Sequence, residues 1–258
     1  MTHFRGKTRR GSKTKSKVAA RNNILRKLTG TTWGANPSVL RTTALALCYS
    51  AAEYACPVWE RSVHARKLDP VLNETCRLIT GCLKPTKVDN LYVLSGIAPP
   101  DIRRAVASQS ERSRQVQDQR HMLHHHVPVR SRLKSRSSFC SSSEPLQDTA
   151  GTTRLRMWQS RDHNTMGMTP AEHLPPGFSE TWPVWKSLNR LRTGVGRCRS
   201  NMVKWGYQEG PDSCGCGQTQ TMQHLLVCPQ LSRSTTPDDL ASANHTGLQC
   251  AKHWSSTV

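Results

Sequence analysis

Four side chains carry the most specific chemistry in this sequence: Cys214, Cys216, His224 and Cys228, spaced C-x-C-x7-H-x3-C. Thiolate and imidazole are the ligands that suit tetrahedral zinc, and three cysteines with one histidine form a usual structural set. A closed set of four leaves no open position for water. The predicted role is therefore structural or binding, with zinc as a structural cofactor, and not catalytic. The alternative is a redox pair or an accidental cluster, and the C-x-C gap is shorter than the usual spacing between paired cysteines.

The elements around these residues must bring them together. Gly215 and Gly217 allow a tight backbone turn around the first two sulfurs. Thr221 is a good N-cap for a short helix over Met222–Val227, which would stack His224 and Cys228 as an i, i+4 pair. Leu225, Leu226 and Val227 would back the site. So small a unit cannot bury enough apolar surface by itself, so metal is expected to be its core.

The other chemical signal is charge. Lys and Arg number 37 against 17 Asp and Glu, a net charge of +20. That imbalance predicts a polyanionic partner, RNA and/or DNA. No apolar stretch is long enough to span a bilayer and no signal-peptide pattern opens the chain, so membrane is not an expected partner. The ten cysteines are then read in a reducing, intracellular setting, nuclear and/or cytoplasmic: three in the cluster, the rest mostly packed thiols. Asp238-Asp239, the one pair of adjacent acids, lies in a polar stretch and not between apolar strands, so it is not read as a metal-holding catalytic pair.

Taken in order, residues 1–16 form a basic arm without an acid, which reads as solvated chain or a phosphate-contacting segment. A helix is expected from Lys17 to Leu28, with Val18, Ile24, Leu25 and Leu28 inward and Arg21, Arg26 and Lys27 outward. Asn36-Pro37 should start the best core helix, running to near Pro57 through Leu40, Ala44, Leu47, Cys48, Ala51 and Tyr54. Asp69-Pro70 begins another that ends at Gly81. A short helix ends at Gly96, and a longer polar one starts at Asp101. Residues 17–120 thus read as an all-helical domain, in which Cys48, Cys56, Cys76 and Cys82 are packed thiols. Residues 121–153, with His121, His124–His126 and an Arg/Ser run, read as a disordered basic linker; three adjacent histidines do not converge on one ion.

Residues 154–230 read as a second, basic helical unit containing the CCHC cluster. Trp182, Trp185, Leu188 and Leu191 mark a helical stripe stopped at Thr193-Gly194. Lys186, Arg190, Arg192, Arg197, Arg199 and Lys204 lie between Glu180 and Glu209 with no acid among them. Interleaved with Trp182, Trp185, Trp205 and Tyr207, they suit a surface that tracks phosphates and stacks bases. Trp185, on the stripe that a helix would bury, reads as core ahead of surface, and Trp205 stands open between the two. Residues 231–258 read as a polar tail, in which Cys250 and His253 lack ligand partners.

Several long strings resemble the C-terminal part of reverse transcriptases of non-LTR, LINE-like and jockey-type retrotransposons. They are KVAARNNILRKLTGTTWG over 17–34, RTTALALCYSAAEYACPVW over 41–59, KLDPVLN over 67–73, ITGC over 79–82, GIAPPDIRR over 96–104 and LNRLRTG over 188–194. The resemblance covers most of residues 2–230. It implies a mainly α fold: a thumb-like helical domain over 17–120 that grips a template–primer duplex, and a zinc-knuckle-like module at the cluster. The family is an RNA-directed DNA polymerase, but its palm, with the catalytic aspartates, has no matching positions here. The expectation is a fragment that starts after the palm, inactive as a polymerase alone, with no catalytic residue assigned. Lys186, Arg190, Arg192, Arg197, Arg199, Lys204, Trp205, Arg21 and Lys27 are the expected nucleic-acid contacts. The alternatives are a functionless transposon remnant, or a part that works only with a palm supplied in trans.

Overall fold

The computed structural model describes residues 3–127, 132, 138–161 and 165–258, and the protein is mainly helical. Among the described residues no strand forms; two isolated antiparallel bridges, Thr29 with Gly34 and Ser213 with Thr219, close small loops. No described helix is long and apolar enough to cross a membrane. Most of the Arg/Ser run expected as a linker, 128–131 and 133–137, lies outside the described residues.

Helix α1 spans His3–Lys27, so the basic arm continues directly into the expected helix. Its buried face is Val18, Asn22 and Leu25, while Ile24 is half exposed. Asn22, not Ile24, takes the inward position because both ends of its amide find partners. Its Nδ2 donates to Val71 O at 3.0 Å, and its Oδ1 accepts from Thr75 Oγ1 at 2.8 Å and from the Cys48 thiol at 3.4 Å. A satisfied amide costs little to bury and ties α1 to two other elements.

Helix α2 (Pro37–Ala44) starts as expected, with Asn36 accepting from Ser38 N and Pro37 in the first turn. It then passes through a π-helical turn, Leu45–Tyr49, before α3 (Ser50–Glu53). The wider turn inserts a residue and rotates the face. Tyr49 and Ala52 go inward in place of Leu47 and Ala51, and Tyr54 is left 81 % exposed. The helix stops short of Pro57 at Ala55, which adopts a left-handed φ of 51° before α4 (Cys56–Trp59).

Helix α5 (Asp69–Thr80) has Pro70 in its first turn and ends at Gly81 with φ 70°. It packs with α6 (Val88–Ser95) and α7 (Pro100–Gln117) around Leu72, Cys76, Ile79, Leu91, Leu94 and Ile102. The histidines after α7 fold back on it. His124 Nδ1 lies 2.9 Å from Gln115 O, and His121 Nε2 lies 3.1 Å from Glu111. The segment expected as linker returns to the body through α8 (Phe139–Ser142) and α9 (Ala150–Gln159), and Phe139, Cys140 and Trp158 are buried.

Helix α10 (Trp182–Thr193) joins two hydrophobic cores. Trp182 and Trp185 belong to the first, with α1, α2, α5, α6 and α7; Val184, Leu188 and Leu191 belong to the second. The second core is completed by α13 (Pro237–Ser242) and α14 (His245–His253), through Leu240, Cys250, Ala251, Trp254 and Val258. The expected polar tail is therefore a packed helical pair, and residues of 17–120 and 154–230 share the first core. The polar residues misled the reading because they are the caps. Thr236 and Asp239 form a reciprocal capping box, and Asn244 caps α14.

Trp185→Ala should cost about 3–5 kcal/mol, because it removes a fully buried indole and strands its carbonyl partner. Urea unfolding measures this, and an unchanged midpoint would mean that α10 does not hold the cores together. A chain stopped after Leu231 should bind hydrophobic dye and lose its cooperative melt. A folded, dye-silent truncation would instead restore the polar-tail reading.

Candidate metal centre and the basic face around it

The four expected ligands converge. One ligand atom from each of Cys214, Cys216, His224 and Cys228 lies within 4.8 Å of the others. Cys214 Sγ and Cys216 Sγ are each 3.8 Å from Cys228 Sγ, and Cys216 Sγ is 3.3 Å from His224 Nε2. Four ligands arranged tetrahedrally around zinc, with Zn–S of about 2.3 Å, place their sulfurs roughly 3.8 Å apart. The donor set and its spacing are thus compatible with zinc.

Local sequence produces this geometry. Gly217 N donates to Cys214 O at 2.9 Å and Cys214 N to Gln218 O at 2.6 Å, closing a turn that needs a φ of 89° at Gly217. Gln220 N donating to Asp212 O at 2.8 Å completes a small hairpin. Thr221 Oγ1 then accepts from His224 N at 3.1 Å, but α12 (His224–Val227) begins two residues later than a Thr221 cap would place it, with Gln223 at the N-cap. The helix is shorter than expected. Cys228 is its C-cap, turned to extended backbone (ψ 132°) as suits a residue before Pro229.

The thiols differ in character. Burial pushes Cys214 up, but the backbone amide of Cys216 and the side chains of His224, Cys228 and Gln220 outweigh it and bring Cys214 below an ordinary thiol. Burial and the two neighbouring cysteines push Cys228 up. Gln220, overlooked in the sequence, is buried behind the cluster. Its Nε2 lies 3.8 Å from Cys214 Sγ, and its Oε1 accepts from Arg199 N at 2.9 Å. The backing is also larger than Leu225 and its neighbours. Trp254 Nε1 donates to Leu225 O at 2.9 Å, and the Cys250 thiol lies 3.7 Å from the same oxygen. The module therefore has an apolar core, to which α14 contributes, contrary to the expectation that metal alone would be its core. The signal was the inward period Gly247, Cys250, Ala251, Trp254 and Val258.

The nine expected nucleic-acid contacts separate into two groups. Arg190 and Arg192 are buried. Arg190 donates to Gly81 O at 2.8 Å and to Val258 O; Arg192 donates to Leu240 O at 2.8 Å and Pro176 O at 2.7 Å. They are structural caps, not surface cations. Burial lowers both, Arg192 to about 9 and Arg190, with Arg197 adding repulsion, to about 10. Arg21 is half-buried and donates to Leu47 O. Lys186 is partly committed, with Nζ 2.9 Å from Thr31 O. Burial, then Arg190 and Arg197, lower it to about 8. Arg197, Arg199, Lys204 and Lys27 are exposed, and Trp205 is half-buried. Arg199 also donates to Ser213 O at 2.8 Å, tying the basic face to the metal hairpin.

No family model, curated protein or solved structure matches this chain. The site is read on its own chemistry.

Gln220→Ala should weaken metal binding by about 10- to 100-fold, as loss of a ligand's supporting hydrogen bond does. Competition with a chromogenic chelator measures the shift; unchanged affinity would make Gln220 mere filler. Full chelation should lower the melting midpoint yet keep most of the far-ultraviolet helical signal, because only α12 belongs to the module. Collapse of the whole helical signal would mean that the metal supports both cores.

Proposed function

We propose that this chain is a nucleic-acid-binding part of a non-LTR retrotransposon reverse transcriptase, with a thumb-like helical body and a zinc-ordered Cys3His module. One observation carries the binding half of this reading. Arg197, Arg199 and Lys204 are solvent-facing beside the metal hairpin, and among the described residues no carboxylate pairs with them. Several arginines elsewhere are paired, Arg103 with Glu53, Arg104 with Asp69 and Arg154 with Glu172, and others such as Arg66 and Arg233 form no ion pair among the described residues. What marks this face is three such cations within eight residues of sequence. Cations left unpaired together are free to displace the counterions of a phosphate backbone. Zinc in this reading supplies order: it fixes the hairpin from which Ser213 holds Arg199. The family assignment rests on the sequence strings given above.

Polymerisation by this polypeptide alone is not part of the proposal. Asp239, of the one adjacent aspartate pair, is occupied as a helix cap, its Oδ2 accepting from Thr236 N at 2.8 Å. A second reading, that the helical body works only against another domain or chain, draws on Tyr54, Val58 and Val63. All three are about four-fifths exposed around α4.

The test is binding of labelled single-stranded RNA at low and moderate salt, with and without a zinc chelator, by the wild type and by Cys214→Ser. With three or four phosphate contacts the affinity should fall with a log–log salt slope of about −2 to −3. Chelation and Cys214→Ser should weaken it in parallel. Binding that is indifferent to salt sinks the electrostatic reading; binding that is indifferent to chelator and mutation removes the metal module from it.

A further inference from the structure

Where Tyr207 comes back across Trp205, the structure has a cleft of about 620 Å³ lined by Leu83, Pro85, Arg197, Met202, Trp205 and Tyr207. That volume lies within the range of about 300–1,000 Å³ typical of small-molecule sites. Two distant parts of the chain build it: the loop after α5, and the region of α11 (Arg199–Lys204). The turn after α11 is specific. Trp205 N donates to Asn201 O at 2.9 Å, Gly206 takes a φ of 73°, and Tyr207 N returns to Met202 O at 2.9 Å. Both aromatic rings are thereby held at one mouth. Tyr207 is 76 % exposed, so its ring is open to an occupant of the cleft.

Charge decides the class of occupant. Arg197 is exposed and forms no ion pair among the described residues, and its field reaches the Lys186 and Arg190 cations, which it disfavours. A site lined by two aromatic side chains, the apolar Leu83, Pro85 and Met202, and a guanidinium with no ion pair among the described residues matches a planar ring joined to an anion. We infer that this cleft takes one unstacked base of a single-stranded nucleic acid, packed against Trp205 and Tyr207, with the adjoining phosphate at Arg197. A duplex cannot offer that base without unpairing it, so the cleft would make the protein prefer single strands. This rests on the nucleic-acid reading above and adds what the basic face alone does not supply, a contact to the base itself.

The test uses the full chain with zinc bound. Its probes are a short labelled oligouridylate, an abasic oligomer of equal charge, and a duplex of the same length. Trp205→Ala and Tyr207→Ala should each weaken the oligouridylate by about five- to a hundredfold, with the salt slope unchanged. The abasic oligomer should bind the wild type as weakly as the oligouridylate binds Trp205→Ala, and the duplex should not discriminate among these proteins. Arg197→Gln should instead reduce the salt slope by about 0.7. Trp205→Phe should recover most of the loss. Because Tyr207 is exposed, its variant carries the test should Trp205→Ala fail to fold. Equal binding of the oligouridylate and the abasic oligomer, unaffected by Tyr207→Ala, overturns the cleft and leaves the electrostatic reading standing. No binding of any of the three at low salt overturns both.

Discussion

The C-terminal end of α5 is the constraint on which the rest depends. A helix leaves its last carbonyls without intrahelical donors, and burying them unpaired is costly. Here α10 supplies the donors from one face: Trp185 Nε1 to Ile79 O at 3.0 Å, Asn189 Nδ2 to Thr80 O at 3.0 Å and Arg190 Nε to Gly81 O at 2.8 Å. Three consecutive carbonyls meet three side chains on one helix face. The approach is so close that a Cβ on Gly81 would come within 2.7 Å of Lys186 Cγ, and one on Gly34 would enter the Trp182 ring. With α10 seated, its opposite face is committed to a second core. The metal hairpin, α13 and α14 then have a surface to fold upon.

The second core uses the same device. Arg192 reaches past α10 to the carbonyls of Leu240 and Ala241 at the C-terminal end of α13. A helix C-terminus carries partial negative charge, so a guanidinium there has an electrostatic partner without any carboxylate. This is how a chain with so few acids buries two arginines. The Cys/His module is likewise anchored to this core and not suspended. Leu225, one residue after the ligand His224, is held by Trp254 from the other side of the core. Gln220 adds contacts of its own, to Arg199 N and to the Cys214 thiol.

One stretch of sequence with a uniform appearance therefore does two jobs. Between residues 186 and 204 the basic side chains on α10 turn inward and become structural, while those beyond Gly194 stay in water. The cleft at Trp205 exists only because the loop after α5 lies beside α11, and α10 sets that neighbourhood. The exposed cations and the metal cluster are consequently fixed relative to one another, since Arg199 bonds to Ser213 of the hairpin and, through its amide, to Gln220.

Local signals in the sequence were enough for the helical class, for α5 from Asp69-Pro70 to Gly81, for α10 up to Gly194, and for the four Cys and His side chains that converge. Each depends on residues within a turn or two of one another, where proline, glycine, capping side chains and ligand spacing act directly. Tertiary structure decided the rest. Asn22 is inward because Val71 and Thr75 satisfy it. Arg190 and Arg192 are buried because carbonyls from α5 and α13 meet them. The π turn rotates the face after Ala44, and residues 237–258 fold because Leu240, Ala251 and Trp254 find α10 and α12. The π turn apart, the partner in each case lies far along the chain, and a polar side chain's preference for burial or water depends on whether that partner arrives.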